Sequence, residues 1–396
     1  MDSNFCSRKI RRKFLFGAYL AIMTCVLVLL ALGLDCLTGR LLPVSPWPPL
    51  GMRNYASVDD AVQQYDFECI YHMNRHGLRG PEPPPKSREK FRILAIGDSY
   101  VYGWGVNEAE TWVKQLEGLL RGAGRSVEII NGGAPGNSPV EYAQRAEYLI
   151  PEFQPDLVLV CILQGGDIGE TPTELRWFPN LSMLIRNWKY RERPPQSSER
   201  FFISAEYTRQ GNEEMARKIY AEFLPAQRLR FDALDEVVKQ SFLEGRLNTG
   251  MVEGIMSMPD WYSGMTDARV VRGSVKSKVI AAMLVRIRRI SALYSGRVFS
   301  VLMPEGPFVN HAAITNWSRL GYEMPSNLYG SELLEGIVQR ASDKAGIRLL
   351  NLAPAFRQHA DDAGLFFVLD THMTAAGHRL VAERLFEILQ QEIPSP

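Results

Sequence analysis

An α/β fold built on a parallel sheet is what this 396-residue sequence predicts, and three observations lead there. Short apolar runs rich in Ile, Leu and Val recur near 91–97, 127–131, 156–164, 296–303 and 347–352, each bounded by glycine, proline or charge. Continuous runs of this kind suit strands covered on both faces. Between them lie helical patterns: Thr111 to Arg121 with Gly122 as a stop, Glu141 to Leu149, Ser331 to Ala345 before Gly346, and Ala375 to Gln391. Finally, Ser99, Gly136, Gly166 and Asp370 all fall just beyond expected strands, and ligands of such sheets bind outside the carboxyl ends of the strands.

Taken in chain order, residues 1–13 are a basic segment in which Arg8, Lys9, Arg11, Arg12 and Lys13 face one acid, Asp2. Phe14 to Leu34 carries no formal charge. At helical rise that stretch reaches roughly 31 Å, enough for the hydrocarbon core of a bilayer. The positive-inside rule keeps the N-terminus cytoplasmic and carries everything after Asp35 across the membrane. Leu34-Asp35-Cys36 is no small-residue cleavage site, so 14–36 reads as an uncleaved signal anchor of an inner-membrane protein, with the main domain periplasmic. Residues 37–90 read as a Pro-rich stalk, with a short β element between Tyr65 and Arg79 and turn chemistry at Asn74-Arg75-His76-Gly77. His72 and His76 fit turn or surface positions there.

From 91 to 396 the α/β pattern holds, interrupted at about 171–290 by a mainly helical insertion containing Trp177, Phe178, Trp188, Trp261 and Tyr262. An insertion near strand ends can act as a lid, an acceptor-binding cap or a docking surface for a membrane-protein partner. The run Val285 to Ile290, rich in Arg, suits a solvated helix face. Net charge is +1, which argues against nucleic acid as a partner. Five cysteines give no disulfide framework, and Cys and His lack metal-ligand spacing, so neither a metal nor another cofactor is expected.

The chemistry concentrates in two places. Gly97-Asp98-Ser99 ends the run 91–96, where a strand-to-helix turn can expose a serine. Near the C-terminus, Asp370-Thr371-His372 offers an imidazole base and a carboxylate to orient it. In an extended segment residues two apart point the same way, which would let Asp370 reach His372. Alone, either motif also fits ordinary turn chemistry.

Four blocks occur in order: Ile93 to Val106 around Ser99, Val127 to Ser138 around Gly136, Pro155 to Asp167, and the Asp370/His372 segment with its helix. This series resembles the SGNH, or GDSL-type, hydrolase family over roughly 91–170 and 296–390. The resemblance implies a three-layer αβα flavodoxin-like fold and serine ester hydrolysis or acyl transfer. By position it makes Ser99 the nucleophile, His372 the base and Asp370 the orienting acid. The N–H groups of Ser99 and Gly136 would then hold the oxyanion. Two departures stand out. Gly166 occupies the place of an asparagine that would supply a third oxyanion donor, a loss of about 10²–10³ in rate. Its own backbone, Gln164 or Asn137 are the replacements at hand. The spacing Asp370-x-His372 is also one residue shorter than usual.

These readings converge on a membrane-anchored esterase or O-acyltransferase acting on an ester, in particular an O-acetylated envelope glycan. A lipid or thioester hydrolase keeps the same triad. A catalytically degenerate structural subunit of an envelope complex is the non-enzymatic alternative, favoured by Gly166 and opposed by the intact triad residues.

Overall fold

The computed structural model describes residues 3–41, 57–171, 201–269 and 276–394. The stalk prolines at 43–49 and the aromatics Trp177, Phe178 and Trp188 fall outside them.

Five strands form the central sheet: β3 (Phe91–Gly97), β4 (Val127–Gly133), β5 (Leu157–Leu163), β7 (Arg297–Met303) and β8 (Arg348–Asn351). Their order across the sheet is β4-β3-β5-β7-β8, with every neighbouring pair parallel. This is the doubly wound flavodoxin-like arrangement, whose strand order reverses between its first and third strands. The apolar composition of these runs follows from their position. All seven residues of β5 are buried, as are those of β3 beyond Phe91. Helices 112–122 and 375–389 pack together, while 276–293 packs on both 139–153 and 333–345. Two helical groups about one sheet make the three layers. The four helical patterns expected from sequence begin and end within a few residues of Trp112–Gly122, Pro139–Phe153, Leu333–Ala345 and Ala375–Leu389.

A second sheet lies outside that pattern. Strands β1 (Val58–Gln63) and β2 (Glu68–His72) form an antiparallel hairpin, and β6 (Phe201–Ile203) joins β1 in parallel. The hairpin is part of the folded domain. Phe67, Tyr71 and Met73 pack with Tyr102, Val106 and Phe367 in a small core of their own. The division at 90, between stalk and main domain, therefore does not match the packing. Alternating burial, with Cys69 and Tyr71 in and Glu68, Ile70 and His72 out, marks a strand with one face covered. Helix 276–293 likewise belongs to the sheet's covering layer, so its Arg residues flank a buried face of Ile280, Leu284 and Ile287.

The N-terminal helix, Ser3–Leu41, belongs to a separate compact unit. Its stretch Leu15–Leu34 is long and apolar enough to cross a membrane, a character shared by membrane spans and signal sequences.

Candidate active site

Ser99 opens a short helix, Ser99–Tyr102, directly after β3. The turn is tight: a Cβ on Gly97 would lie 2.3 Å from Val101 Cγ2 and 3.1 Å from the Cys161 carbonyl. Only glycine fits that approach. Asp98 caps the helix, its Oδ1 accepting the Tyr100 N–H at 2.9 Å. At the other end the buried Arg79 guanidinium donates to the carbonyls of Tyr102 (3.0 Å), Gly103 and Val106 (both 2.5 Å). A buried cation on these carbonyls, two of which also accept from Asn131 Nδ2 and the Val106 N–H, fixes the helix that presents Ser99.

His372 Nε2 lies 2.7 Å from Ser99 Oγ, and His372 Nδ1 lies 2.5 Å from Asp370 Oδ1. Serine, imidazole and carboxylate thus form one hydrogen-bonded array. With Nδ1 carrying its proton toward Asp370, Nε2 is left to accept the serine hydroxyl proton. The two residues meet through a bend rather than an extended segment. The His372 N–H donates to Asp370 Oδ1 at 3.0 Å, which closes an Asx turn and brings the imidazole back over its own carboxylate. That local turn is how the short Asp-x-His spacing works.

Asp370 is buried, and its Oδ2 accepts Trp104 Nε1–H at 3.3 Å. Trp104 stacks on Tyr71 of β2, with ring centroids 5.6 Å apart. Asp66, between β1 and β2, accepts the N–H groups of Val368 (3.2 Å) and Leu369 (2.6 Å). The hairpin therefore grips the triad loop at two points. Asp66 and Arg79 lie outside the motif series, and Trp104, inside its first block, was given no role there. The signal lay in Asp66 sitting in a four-residue connection between two alternating strands.

Gly136, in a left-handed conformation at φ 71°, lines the same cavity as Ser99 and His372, and so does Asn137. Gly166 lines it too, but its N–H is taken, donating to Glu305 Oε2 at 2.7 Å. The backbone donor that sequence reasoning offered at Gly166 is thus already engaged. Gln164 is fully buried and outside the cavity lining. His72 of β2 pairs with Asp59 of β1 at 3.0 Å across the hairpin and does not line the cavity.

Glu305, just past β7, is a further residue that sequence reading missed. Its carboxyl lines the cavity, with Oε1 accepting the Tyr262 hydroxyl at 2.5 Å. The strand-end position after an apolar run, as for Ser99, was the available signal. Burial raises its pKa, against the donated hydrogen bonds of Tyr262, Gly166 and Gly165 and the nearby His372. Burial likewise pushes Asp98 up to about 7 despite the Tyr100 N–H and His372, with Glu305 adding to the rise. For His372, burial alone would favour the neutral ring. Asp370, then Asp98 and Glu305, outweigh it and raise the pKa. Among the described residues no group of three or more His, Cys, Asp or Glu side chains is placed to hold a metal ion.

No family model matches the chain. An arylesterase of Vibrio mimicus is 30% identical over 105 residues, which are 25% of this chain and 49% of that protein. The chain thus spans about half the length of this relative. Among solved structures, TesA overlaps 76% of this chain and 98% of its own at 11% identity and a TM-score of 0.38. The lipase/acylhydrolase from Enterococcus faecalis gives 77%, 98%, 12% and 0.39 in the same measures. An acetyl xylan esterase, AlAXEase, gives 75%, 99%, 12% and 0.36.

Proposed function

We propose that this chain, which resembles the SGNH (GDSL-type) hydrolases in its block order and parallel-sheet fold, is a serine esterase. The observation that carries the reading is the unbroken array Ser99 Oγ–His372–Asp370, with 2.7 Å and 2.5 Å links, opening into a cavity. A serine hydroxyl is a weak nucleophile until a positioned base removes its proton. In the proposed cycle, Ser99 Oγ attacks the ester carbonyl carbon while its proton passes to His372 Nε2. Asp370 stabilises the imidazolium that forms. The tetrahedral oxyanion collects hydrogen bonds, with the N–H groups of Ser99 and Gly136 as proposed donors. Collapse breaks the bond to the alcohol, which leaves with the proton from His372. Water then repeats the sequence on the acyl-serine, and a sugar hydroxyl in its place would make the enzyme a transferase.

The cavity, about 200 Å³, favours a short acyl group over a long lipid chain. With Leu15–Leu34 as a signal anchor, the domain would face the periplasm, where an O-acetylated envelope glycan is the proposed substrate. The test uses the full chain in detergent with Ser99→Ala as its control. Fluorophosphonate labelling and p-nitrophenyl acetate hydrolysis should both be present in the wild type and absent from the variant. A folded wild type that neither labels nor turns over refutes the esterase.

A further inference from the structure

The cavity that holds Ser99 has a buried floor and a partly open rim, and the two differ in what they leave unpaired. Four carboxyl groups line it, Asp98, Asp167, Glu170 and Glu305, and no Lys or Arg among the described residues does. Three of the four are buried and already receive hydrogen bonds. Asp98 Oδ1 accepts the Tyr100 N–H at 2.9 Å, and Asp167 accepts the Tyr142 hydroxyl and the Leu163 N–H, each at 2.7 Å. Glu305 accepts the Gly166 N–H at 2.7 Å and the Tyr262 hydroxyl at 2.5 Å. Glu170 is the exception. It is exposed at the rim, and among the described residues nothing donates to its carboxylate.

Two aromatic side chains stand beside it. Trp261 lies in the connection between helices Thr249–Ser257 and Ser263–Thr266 of the insertion. Its indole rests on the residue before Glu170, since a Cβ on Gly169 would fall 2.3 Å from Trp261 Cζ2. The ring is backed by the core yet partly exposed, and it lines the cavity. Tyr322, also partly exposed, stands edge-on to Tyr262 with ring centroids 5.2 Å apart, and it feels the charges of Glu305 and Glu170. The Glu323 N–H donates to the Pro259 carbonyl at 2.8 Å, which ties the Trp261 loop to the Tyr322 loop. A fixed aromatic face beside an unpaired carboxylate suits a sugar, whose C–H face lies on the ring while a hydroxyl donates to the acid. With carboxyls around it and no base, the same rim opposes an anionic alcohol. The buried carboxyls already hold hydrogen bonds, so none of them requires a cation. We propose that Trp261 and Glu170 form the subsite for the alcohol part of the ester, and that this alcohol is an uncharged, hydroxyl-bearing sugar ring. Trp261 takes the ring face and Glu170 accepts a hydroxyl, while the acyl group enters toward Ser99. Neither residue gains or loses a proton in the cycle; both bind rather than react.

This inference rests on the esterase reading, and the two fail differently. The experiment measures acetate release by the full chain from ethyl acetate, an O-acetylated methyl glucoside, the matching glucuronide and acetylcholine. The wild type should favour the glucoside over each of the others. Trp261→Ala should lower the glucoside-to-ethyl-acetate ratio of kcat/KM about tenfold, the worth of one aromatic contact. Glu170→Gln keeps an acceptor oxygen but loses the charge, and its glucoside-to-glucuronide ratio should fall about tenfold. If Trp261→Ala fails to fold, the change at Glu170, an exposed side chain, still decides. An unchanged ratio in either folded variant overturns the proposal. So does a wild type that cleaves ethyl acetate as fast as the glucoside. Faster cleavage of acetylcholine than of the glucoside would also overturn it, by making the rim a cation site. A wild type that neither takes a fluorophosphonate label nor cleaves any of these esters removes the esterase, and this subsite with it.

Discussion

Asp66→Ala tests whether the N-terminal hairpin holds the triad or merely lies beside it. The aspartate accepts two backbone N–H groups of the loop that carries Asp370, at 2.6 Å from Leu369 and 3.2 Å from Val368. Val368 is 38% exposed, so water can replace its bond. Leu369 is fully buried and its N–H would be left without an acceptor. Loss of one charge-assisted bond of that kind should lower unfolding stability by about 2 kcal/mol. The larger effect falls on activity. A loop free to shift Asp370 by about 1 Å would cost roughly 100-fold in kcat/KM. Its separation from His372 would also lower the imidazole pKa, so the acid limb of the pH–rate profile should move toward lower pH. Thermal unfolding and p-nitrophenyl acetate kinetics across pH measure these effects on one preparation. Asp66→Asn, keeping one acceptor oxygen, should sit between the two. A variant that is destabilised yet stays within threefold of wild-type kcat/KM, with an unmoved acid limb, would refute the grip.

Trp104→Phe keeps the ring against Tyr71 and Phe67 but removes the donor to Asp370 Oδ2. At a net bond worth of about 1 kcal/mol, kcat/KM should fall roughly fivefold, and the acid limb should rise because Asp370 then acts more strongly on His372. An unmoved limb would show that the indole contributes packing alone. Gly165→Ala drives a methyl against Glu305 Oε2 and should cost about 1–3 kcal/mol by thermal unfolding. Adding Glu305→Ala to it should recover part of that loss; no recovery would place the strain elsewhere. Asp98 keeps a folded pKa of about 7 against 3.8 for a free carboxyl, so its proton stabilises the folded state at low pH. That contribution is lost as pH rises from 3.8 through about 7. In Asp98→Asn, which retains an acceptor for the Tyr100 N–H, Tm should decline less over that interval; parallel curves would show that Asp98 titrates normally.

The strands of the central sheet were legible because they are buried on both faces. Runs such as Leu157 to Leu163 have nowhere to place a polar residue, and their composition says so. Ser99, Gly136 and His372 were legible because each sits where a strand or a bend ends, next to residues chosen for backbone shape. The hairpin was harder to see. Its strands are short and half exposed, and the β1 partner that completes the sheet, Phe201 to Ile203, lies far along the chain. Glu305 was hidden for a different reason. A single glutamate after a strand has no local pattern, and its meaning comes only from Gly165, Gly166 and Tyr262 meeting it in space. The bend that joins Asp370 to His372 was expected as an extended segment, since spacing of two suits either geometry.

The parallel pairing of β1 with β6 has a consequence for how the chain is assembled. On emergence from the ribosome, residues 58–63 can pair with β2 at once, but the other edge of β1 stays open until Phe201–Ile203 has been made. An exposed strand edge is a template for wrong partners, including another copy of the same strand. Synthesis proceeds at about 5–20 residues per second, so that edge would be open for several seconds or longer. The Tyr65 N–H must wait longer still, for the carbonyl of Arg246. The hairpin that contacts the Asp370–His372 loop is therefore finished late, and misassembly there would leave a sound central sheet with that loop loosely held.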